Sequence, residues 1–237
     1  MITSAANPRL KLVRRLESRR QRERLGLFVC EGEDLVEAAL DAGLEPVEAL
    51  LDAERPALAD RLRAPEPVAP ELLAGVSALA HPPRVVAVFR TADLPAGYDA
   101  PTGLALWHVR DPGNVGTLLR SADAFGPAFV ALSPGCGDPL GSKGLRAAMG
   151  AVFRVPLGRF HEAPGPRVAL VSEGASPLAD VELPQRVTFV VGAERGGLPP
   201  EVVAACDAVA TIPIAEHADS LNAAMAGTVA LYERARR

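Results

Sequence analysis

The second half of this 237-residue chain alternates short apolar stretches with segments of helical periodicity, and this alternation restricts its possible folds more than any other feature. The apolar stretches "LALWHV", "AFVALS", "VALVS" and "VTFVVG" have the length of buried strands. Helical segments lie among them, as in residues 115–125, where the apolar positions fall on one helix face. The pattern predicts an α/β fold with a mainly parallel sheet covered by helices on both faces.

The first half is organised as a smaller α/β unit. A basic segment predicted as one helix, "NPRLKLVRRLESRRQRERLG", precedes a strand in "LFVCEG" and a helix in "EDLVEAALDAG". The strand "VEALLD", a helix in "PVAPELLAGVSAL" and the strand "RVVAVFR" complete the unit. Residues 91–103 mix Pro, Gly, Asp and Ala without periodicity, which is typical of a linker. We therefore predict a domain over 1–92, a linker over 93–102 and a second domain over 103–237.

Charge is distributed unevenly along the chain. The formal net charge of −4 does not by itself favour a nucleic-acid partner. The first 25 residues, however, hold eight basic residues against Glu17 and Glu23, a local excess of 8 − 2 = 6. Arginines along a helix can bind phosphates, and a solvated helix face accounts for the charge equally well. The candidate RNA-binding residues are Arg9, Lys11, Arg14, Arg15, Arg19, Arg20 and Arg22.

The cysteines, histidines and glycines of the sequence indicate which cellular compartment and which kinds of cofactor to expect. The three cysteines form no CxxC pair, and no apolar stretch is long enough to span a bilayer, so we expect a soluble cytoplasmic protein. The four histidines show no metal-ligand spacing, and we expect no metal site. The segment "GCGDPLG" follows a strand, but its G-x-G-x-x-x-G spacing and Pro139 disfavour a nicotinamide-dependent oxidoreductase.

Three segments of the second half share a strand, a tight polar loop and a helix. They are "HVRDPGNVGTLLRSADAFG", "FVVGAERGGLPPEV" and "TIPIAEHADSLNAAMAGTVALYE". Loops that follow the carboxyl ends of parallel strands line the ligand crevice of such a sheet, so we expect the three loops to converge. Each loop alone is also compatible with an ordinary turn or helix cap. Their ordered combination marks them as the candidate site.

In this order the three segments resemble the signature motifs of the SpoU, or TrmH-type, branch of the SPOUT RNA methyltransferases. The segment "GCGDPLGSKGLRAAMGAVFRVP" resembles the family's connection between the first two motifs. The N-terminal half, through "FVCEGEDLVEAAL", is similar to an RNA-binding substrate domain often fused ahead of the catalytic one. The resemblance implies a ribose 2′-O-methyltransferase that uses S-adenosylmethionine (AdoMet). It also implies a C-terminal trefoil knot and a homodimer with its active sites at or near the interface.

The resemblance assigns roles to individual residues. The polar and catalytic positions of the family are occupied here by Asn114, Arg120, Glu194, Ser220 and Asn222. The positions of cofactor contact are occupied by Gly192, Ile212 and Leu221. One departure is that Glu216 and His217 stand where a Gly-containing turn is commoner, which bears on the cofactor loop.

Arg120 raises a chemical question, because an arginine guanidinium keeps its proton at neutral pH and is a poor proton acceptor. We therefore expect its guanidinium to stabilise a developing alkoxide and to grip an adjacent phosphate. Ribosomal RNA is the expected substrate, because the two-domain layout resembles rRNA enzymes of the family. Two alternatives stay open: a tRNA 2′-O-methyltransferase, and a non-catalytic RNA-binding or ribosome-assembly factor.

Overall fold

The N-terminal part of the protein folds around a four-stranded mixed sheet in the computed structural model, which describes residues 1–215 and 220–237. Its elements are α1 (Pro8–Arg15), α2 (Arg19–Leu25), β1 (Leu27–Glu31), α3 (Glu33–Asp41), β2 (Glu48–Asp52), β3 (Glu66–Val68), α4 (Pro70–Ala74) and β4 (Val85–Arg90). The strands lie in the order β1-β4-β2-β3. Strand β4 is antiparallel to β1 and β2, whereas β2 and β3 are parallel.

The basic N-terminal segment forms two helices, and the prediction of a single helix is wrong. Ser18 has an extended backbone and interrupts the helical path between α1 and α2. The Arg22 guanidinium fills the break by donating hydrogen bonds to the carbonyl oxygens of Leu16 and Glu17. The segment predicted as a helix over residues 67–79 is likewise divided between β3 and α4.

The C-terminal part contains the predicted parallel sheet. Its strands are β5 (Thr102–Leu106), β6 (Ala128–Leu132), β7 (Leu157–Arg159), β8 (Arg167–Val171), β9 (Ser176–Pro177), β10 (Val187–Val191) and β11 (Ala208–Thr211). Its α-helices are α5 (Pro112–Ala124), α6 (Ser142–Ala148), α7 (Pro200–Ala204) and α8 (Ala223–Ala235). The strand order is β7-β6-β5-β10-β8-β11-β9, and every pairing is parallel. The predicted α/β class and parallel sheet are therefore confirmed.

Both faces of this sheet are covered, as alternate residues of its strands show. Leu104 and Phe189 belong to the large core cluster on one face, together with Leu118 of α5. Ala105 and Val190 belong to a second cluster on the other face. On the first face α5 and α8 pack closely, because a Cβ at Gly227 would lie 2.4 Å from Leu118 Cδ2. The trefoil knot stays a prediction.

Residues of the predicted linker pack against the C-terminal sheet. Leu157 N donates to Pro95 O over 3.1 Å, and the Tyr98 ring meets Phe129 edge-on with a centroid distance of 5.3 Å. The domain boundaries stay predictions. Among the described residues, no helix is both long and apolar enough to cross a membrane.

Helix α2 fastens the N-terminal part to the loop that follows β6. Arg22 Nη2 lies 2.5 Å from Asp138 Oδ2, with only 9% and 17% of the two side chains exposed. Arg19 Nη1 donates to Cys136 O over 2.8 Å. Removing one partner of a largely buried ion pair leaves the other charge uncompensated, and this strongly lowers the stability of the folded protein.

We expect Arg22→Met to lower the free energy of unfolding by about 2–4 kcal/mol, because it leaves the Asp138 carboxylate without its partner. The matched control is Arg20→Met on the same helix. Arg20 is exposed, so this variant is expected to change stability by less than ~0.5 kcal/mol. Urea unfolding of the three proteins measures the difference. Equal stability of the two variants would contradict the structural role of the pair.

Candidate functional site

The three polar loops of the C-terminal part meet at the carboxyl edge of its sheet. Strands β5 and β10 are neighbours, and β11 lies two strands beyond β10. Strand order reverses at β5, since β6 and β7 lie on one side and the later strands on the other. Ligands of open parallel sheets bind at such a switch point. The predicted convergence of the loops is confirmed at the level of the fold.

The loop after β5 is held by Asp111, which caps helix α5. Asp111 Oδ1 accepts hydrogen bonds from the backbone N–H groups of Gly113 at 2.6 Å and Asn114 at 3.3 Å. Helix α5 consequently begins at Pro112, and the expectation of a helix starting at Val115 is wrong. Lys143 Nζ lies 2.7 Å from Asp111 Oδ2, and this hydrogen bond is the main reason that the pKa of Asp111 is lowered. Asn114 thus projects from the first turn of a firmly capped helix.

A chain of side-chain hydrogen bonds joins the three loops, and we call Glu194, Asn114 and Asn222 the polar hub. Asn114 Nδ2 donates to Glu194 Oε1 over 2.9 Å, and Asn222 Nδ2 donates to Asn114 Oδ1 over 3.3 Å. Asn222 also caps α8, because its Oδ1 accepts from the backbone N–H of Ala224 at 2.8 Å. That helix therefore starts at Ala223.

Hydrogen bonds from the first loop keep the Glu194 side chain in its ionised, carboxylate form. Burial is the largest single influence and raises its pKa, but the hydrogen bonds together outweigh it and the pKa is lowered. The donors include Asn114 Nδ2 and the backbone N–H groups of Asp111 at 3.3 Å and Arg110 at 3.4 Å. A carboxylate that accepts several hydrogen bonds resists protonation.

A cleft of about 390 Å³ lies beside the polar hub and contains all three predicted cofactor positions. Gly192, Ile212 and Leu221 line it, together with the predicted catalytic Ser220. Apolar side chains, Leu170 among them, form part of its wall. The glycine-rich loop folds back tightly, because Ala193 and Gly197 exchange backbone hydrogen bonds of 3.1 and 2.9 Å.

The cleft fits a nucleoside-like cofactor such as AdoMet. A Cβ at Gly192 would lie 2.3 Å from the backbone of Gly197, so only glycine permits the narrow loop that forms the wall. The apolar walls suit the adenine ring of AdoMet, while the backbone groups of the loop and the Glu194 carboxylate suit the polar and positively charged parts of the cofactor. Glu216 and His217, the departure noted in the sequence, lie outside the described residues.

Arg120, like Ser220, is a predicted catalytic residue that lies outside the hub. The Arg120 side chain is exposed and forms no hydrogen bond or ion pair with the described residues of this chain. It lies six positions after Asn114 on α5, which places it roughly 120° around the helix axis. Within the described residues of one chain Arg120 therefore lies apart from Glu194 and Asn222, and its catalytic role stays a prediction.

The predicted RNA-binding residues fall into three groups. Arg22 is buried against Asp138 and is not available to RNA, which corrects its assignment. Arg9 pairs with Glu48 at 2.7 Å, while three exposed or half-buried arginines hydrogen-bond to nearby protein groups: Arg14, Arg15 and Arg19. Lys11 and Arg20 are exposed and form no ion pair with the described residues.

Sequence reasoning missed the residues that support the hub. From the sequence we assign Asp111 no role, although Asp followed by Pro is a signal for a helix N-cap and first helical position. Lys143 had no local signal, since it lies 32 positions from its partner Asp111.

Comparison with known proteins identifies the family. A profile described as the SpoU rRNA Methylase family matches residues 101–232, and one described as the MRM3-like substrate binding domain matches residues 7–87. The chain belongs to the SpoU rRNA methylase family. The first match contains all three loops of the site, and the second contains the basic helices α1 and α2.

Several SpoU-type relatives match this chain over nearly its whole length. The Bacillus subtilis 23S rRNA (guanosine(2553)-2′-O)-methyltransferase is 28% identical, with 98% of this chain and 97% of the relative covered. The Streptomyces viridochromogenes 23S rRNA (uridine(2479)-2′-O)-methyltransferase is 31% identical, with 94% and 87% covered. The crystal structure of an AdoMet-bound rRNA methyltransferase from Sinorhizobium meliloti is 31% identical and superposes with a TM-score of 0.84, with 99% and 97% covered.

We expect Glu194→Gln to remove a stabilisation that depends on pH. Because the folded-state pKa of Glu194 is lowered, the carboxylate contributes stability above its unfolded pKa of about 4.3 and loses it as pH falls through the folded value. The difference in unfolding free energy between wild type and variant should be constant from about pH 6 to 8 and shrink below about pH 4. Urea titrations at several pH values test this. A difference that grows on acidification would contradict the assigned ionisation.

Proposed function

We propose that this SpoU family member transfers a methyl group from AdoMet to a ribose 2′-hydroxyl of ribosomal RNA in the cytoplasm. The observation that carries the proposal is the polar hub, which joins all three motif loops beside the cleft with the predicted cofactor positions. The Bacillus and Streptomyces relatives, named as 23S rRNA 2′-O-methyltransferases, support the substrate class. The AdoMet-bound Sinorhizobium structure supports the cofactor.

The cleft residues hold the cofactor, which when bound supplies a methyl group on an electrophilic sulfonium. Gly192 provides the narrow loop, and Ile212 and Leu221 provide apolar surface. Glu194 keeps a negative charge at the rim of the same cleft, where it favours a cationic ligand. These residues bind and orient the cofactor, and the proton that the ribose hydroxyl loses on methylation passes to water, to an RNA phosphate or to a nearby carboxylate.

The polar hub positions the sugar. Asn114 and Asn222 are fixed by the caps of α5 and α8 and by their mutual hydrogen bond, so their amides form a rigid polar surface. Ser220 adds a hydroxyl at the edge of the cleft. Holding two reactants in an attack geometry can contribute about 7–11 kcal/mol to lowering a barrier.

Arg120 completes the site from a second copy of the chain. Helix α8 exposes an apolar stripe at i, i+4 and i+7, formed by Met225, Val229 and Tyr232 with 50%, 39% and 54% of each residue exposed. Contiguous exposed apolar surface marks an interaction site. Tyr232 packs edge-on against Phe125, the C-cap residue of α5, and α5 is the helix that carries Arg120. We therefore propose a homodimer over α8 that brings Arg120 to the hub of the other protomer, where it stabilises the developing alkoxide.

The N-terminal helices supply contacts to RNA phosphates. Lys11 and Arg20 are exposed, and Arg14, Arg15 and Arg19 keep part of their guanidinium groups accessible on the same two helices. Cationic helix faces of this kind bind RNA backbones with strong salt dependence and little sequence preference. The match of this part to a substrate binding domain supports the assignment.

The test of the proposed function is methyl transfer from tritiated AdoMet to 23S rRNA lacking its natural modifications. We expect label in alkali-resistant dinucleotides, because a 2′-O-methyl group blocks alkaline cleavage of the adjacent phosphodiester. Arg120→Ala is expected to lower the rate of methyl transfer by roughly 10²–10³-fold while the affinity for AdoMet is unchanged. Arg120→Lys is expected to retain only a small part of the wild-type rate.

Each other outcome of this assay has a distinct meaning. Label in tRNA but not in rRNA would replace the proposed substrate by tRNA. RNA binding without label in either RNA would indicate a non-catalytic assembly factor. Turnover by Arg120→Lys close to that of wild type would contradict bidentate binding by the guanidinium.

Mixed dimers test whether the site is shared between protomers. A heterodimer of Arg120→Ala and Asn114→Ala protomers contains one site with both residues intact if Arg120 acts across the interface, and none if it acts within one chain. Random mixing of the two inactive proteins should then restore about a quarter of the wild-type activity, because half of the dimers are mixed and one of their two sites works. Failure to restore activity, with subunit exchange verified by mass spectrometry, would refute the shared site.

A further inference from the structure

A second groove, of about 840 Å³, opens beside the cofactor cleft, and we call it the side groove. It shares the segment 193–197 with the cofactor cleft, so the glycine-rich loop separates the two. Trp107, His108 and Arg110 line it from the loop after β5, and Asn114 of the polar hub also faces it. The motif positions taken from the family leave most of this groove without a role.

Two stacked rings form part of the groove lining. The rings of Trp107 and His108 have centroids 4.8 Å apart and an interplanar angle of 23°, and the Trp107 indole also meets Phe160 edge-on at 5.1 Å. Both residues are half-buried, so part of each ring remains accessible. Together they offer a rigid aromatic surface, which we call the ring pair.

The position of His108 is held in place by its neighbours. Its φ of 52° lies in the left-handed region, which residues other than glycine rarely adopt. The backbone N–H of His108 donates to the buried Ser133 Oγ over 2.9 Å, and that of Trp107 donates to Val191 O over 2.8 Å. Unfavourable backbone conformations that persist in a fold cluster at ligand sites, because the surroundings must enforce them.

The charges around the groove favour a nucleotide. The side chains of Arg110 and Arg195 are exposed at the groove and form no hydrogen bond or ion pair with the described residues. The two carboxylates of the groove are satisfied, since Asp111 pairs with Lys143 and Glu194 accepts from Asn114. Two available guanidinium groups therefore flank an aromatic surface.

We propose that the side groove binds the base of the nucleotide to be methylated, with the ring pair as its stacking platform. Arg110 and Arg195 contact the phosphates on either side of that nucleotide. Sequence-tolerant stacking of unpaired bases on aromatic side chains is a general mode of RNA binding. A base in this groove places its sugar beside Asn114, next to the cofactor cleft. The inference rests on the proposed function, because it specifies how the same site holds its RNA.

The fluorescence of Trp107 reports on the groove directly, because this is the single tryptophan of the chain. We expect an unmodified 23S rRNA transcript, added to protein saturated with S-adenosylhomocysteine, to quench the emission saturably, with the same midpoint as RNA binding measured on filters. A base stacked on the ring pair causes the quenching. Emission that stays unchanged while the filters show bound RNA would overturn the inference.

A substitution of His108 separates stacking from folding. His108→Gly removes the imidazole and keeps the left-handed backbone, which glycine adopts without strain. We expect KM for RNA to rise by roughly 5- to 100-fold, with AdoMet affinity by calorimetry and the melting temperature close to wild type. His81→Gly is the matched control, since His81 is an exposed histidine of the N-terminal part and should leave KM unchanged.

The experiments distinguish failure of the stacking platform from failure of the proposed function. If wild-type protein methylates RNA but His108→Gly keeps the wild-type KM, only the stacking platform is refuted. If wild-type protein neither binds AdoMet nor labels RNA, the proposed function falls and the inference falls with it.

Discussion

The hydrogen bond between Asn114 and Glu194 is the interaction on which the arrangement of the site depends. It joins residues 80 positions apart, and the next hydrogen bond, to Asn222, spans 108 positions. Ordering three such loops separately is entropically costly, and a shared polar hub orders them together. The cofactor cleft and the side groove lie against this hub and share the glycine-rich loop that carries Glu194.

The rigidity of the hub comes from the way that its helices begin. Asp111 accepts from the backbone N–H of Asn114 and so fixes the first turn of α5, while the Asn222 side chain accepts from the backbone N–H of Ala224 and caps α8. The parallel pairing of β5 with β10 places the first and second loops side by side. The site thus follows from sheet order and helix capping, and we propose that a second protomer supplies Arg120, which lies outside the hub of its own chain.

Much of the fold could be predicted from the sequence, because apolar runs and helical spacing mark the strands and helices of the C-terminal part directly. The clustering of Gly192, Ile212 and Leu221 followed from sheet topology and family resemblance together. Local patterns could not show that Arg22 is buried, since its partner Asp138 lies 116 positions away. They also could not show the left-handed backbone of His108 or the separation of Arg120 from the hub, which depend on the tertiary structure.

A double-mutant cycle on AdoMet affinity tests the central claim, that the hub acts as one unit in forming the cofactor cleft. Calorimetry would compare wild type, Asn114→Ala, Glu194→Ala and the double variant. If the hub acts as one unit, each single change weakens binding and the double variant binds little worse than the weaker-binding single variant, a coupling of about 1 kcal/mol or more. Losses that add to within ~0.3 kcal/mol would show that the two residues act independently and would contradict the claim.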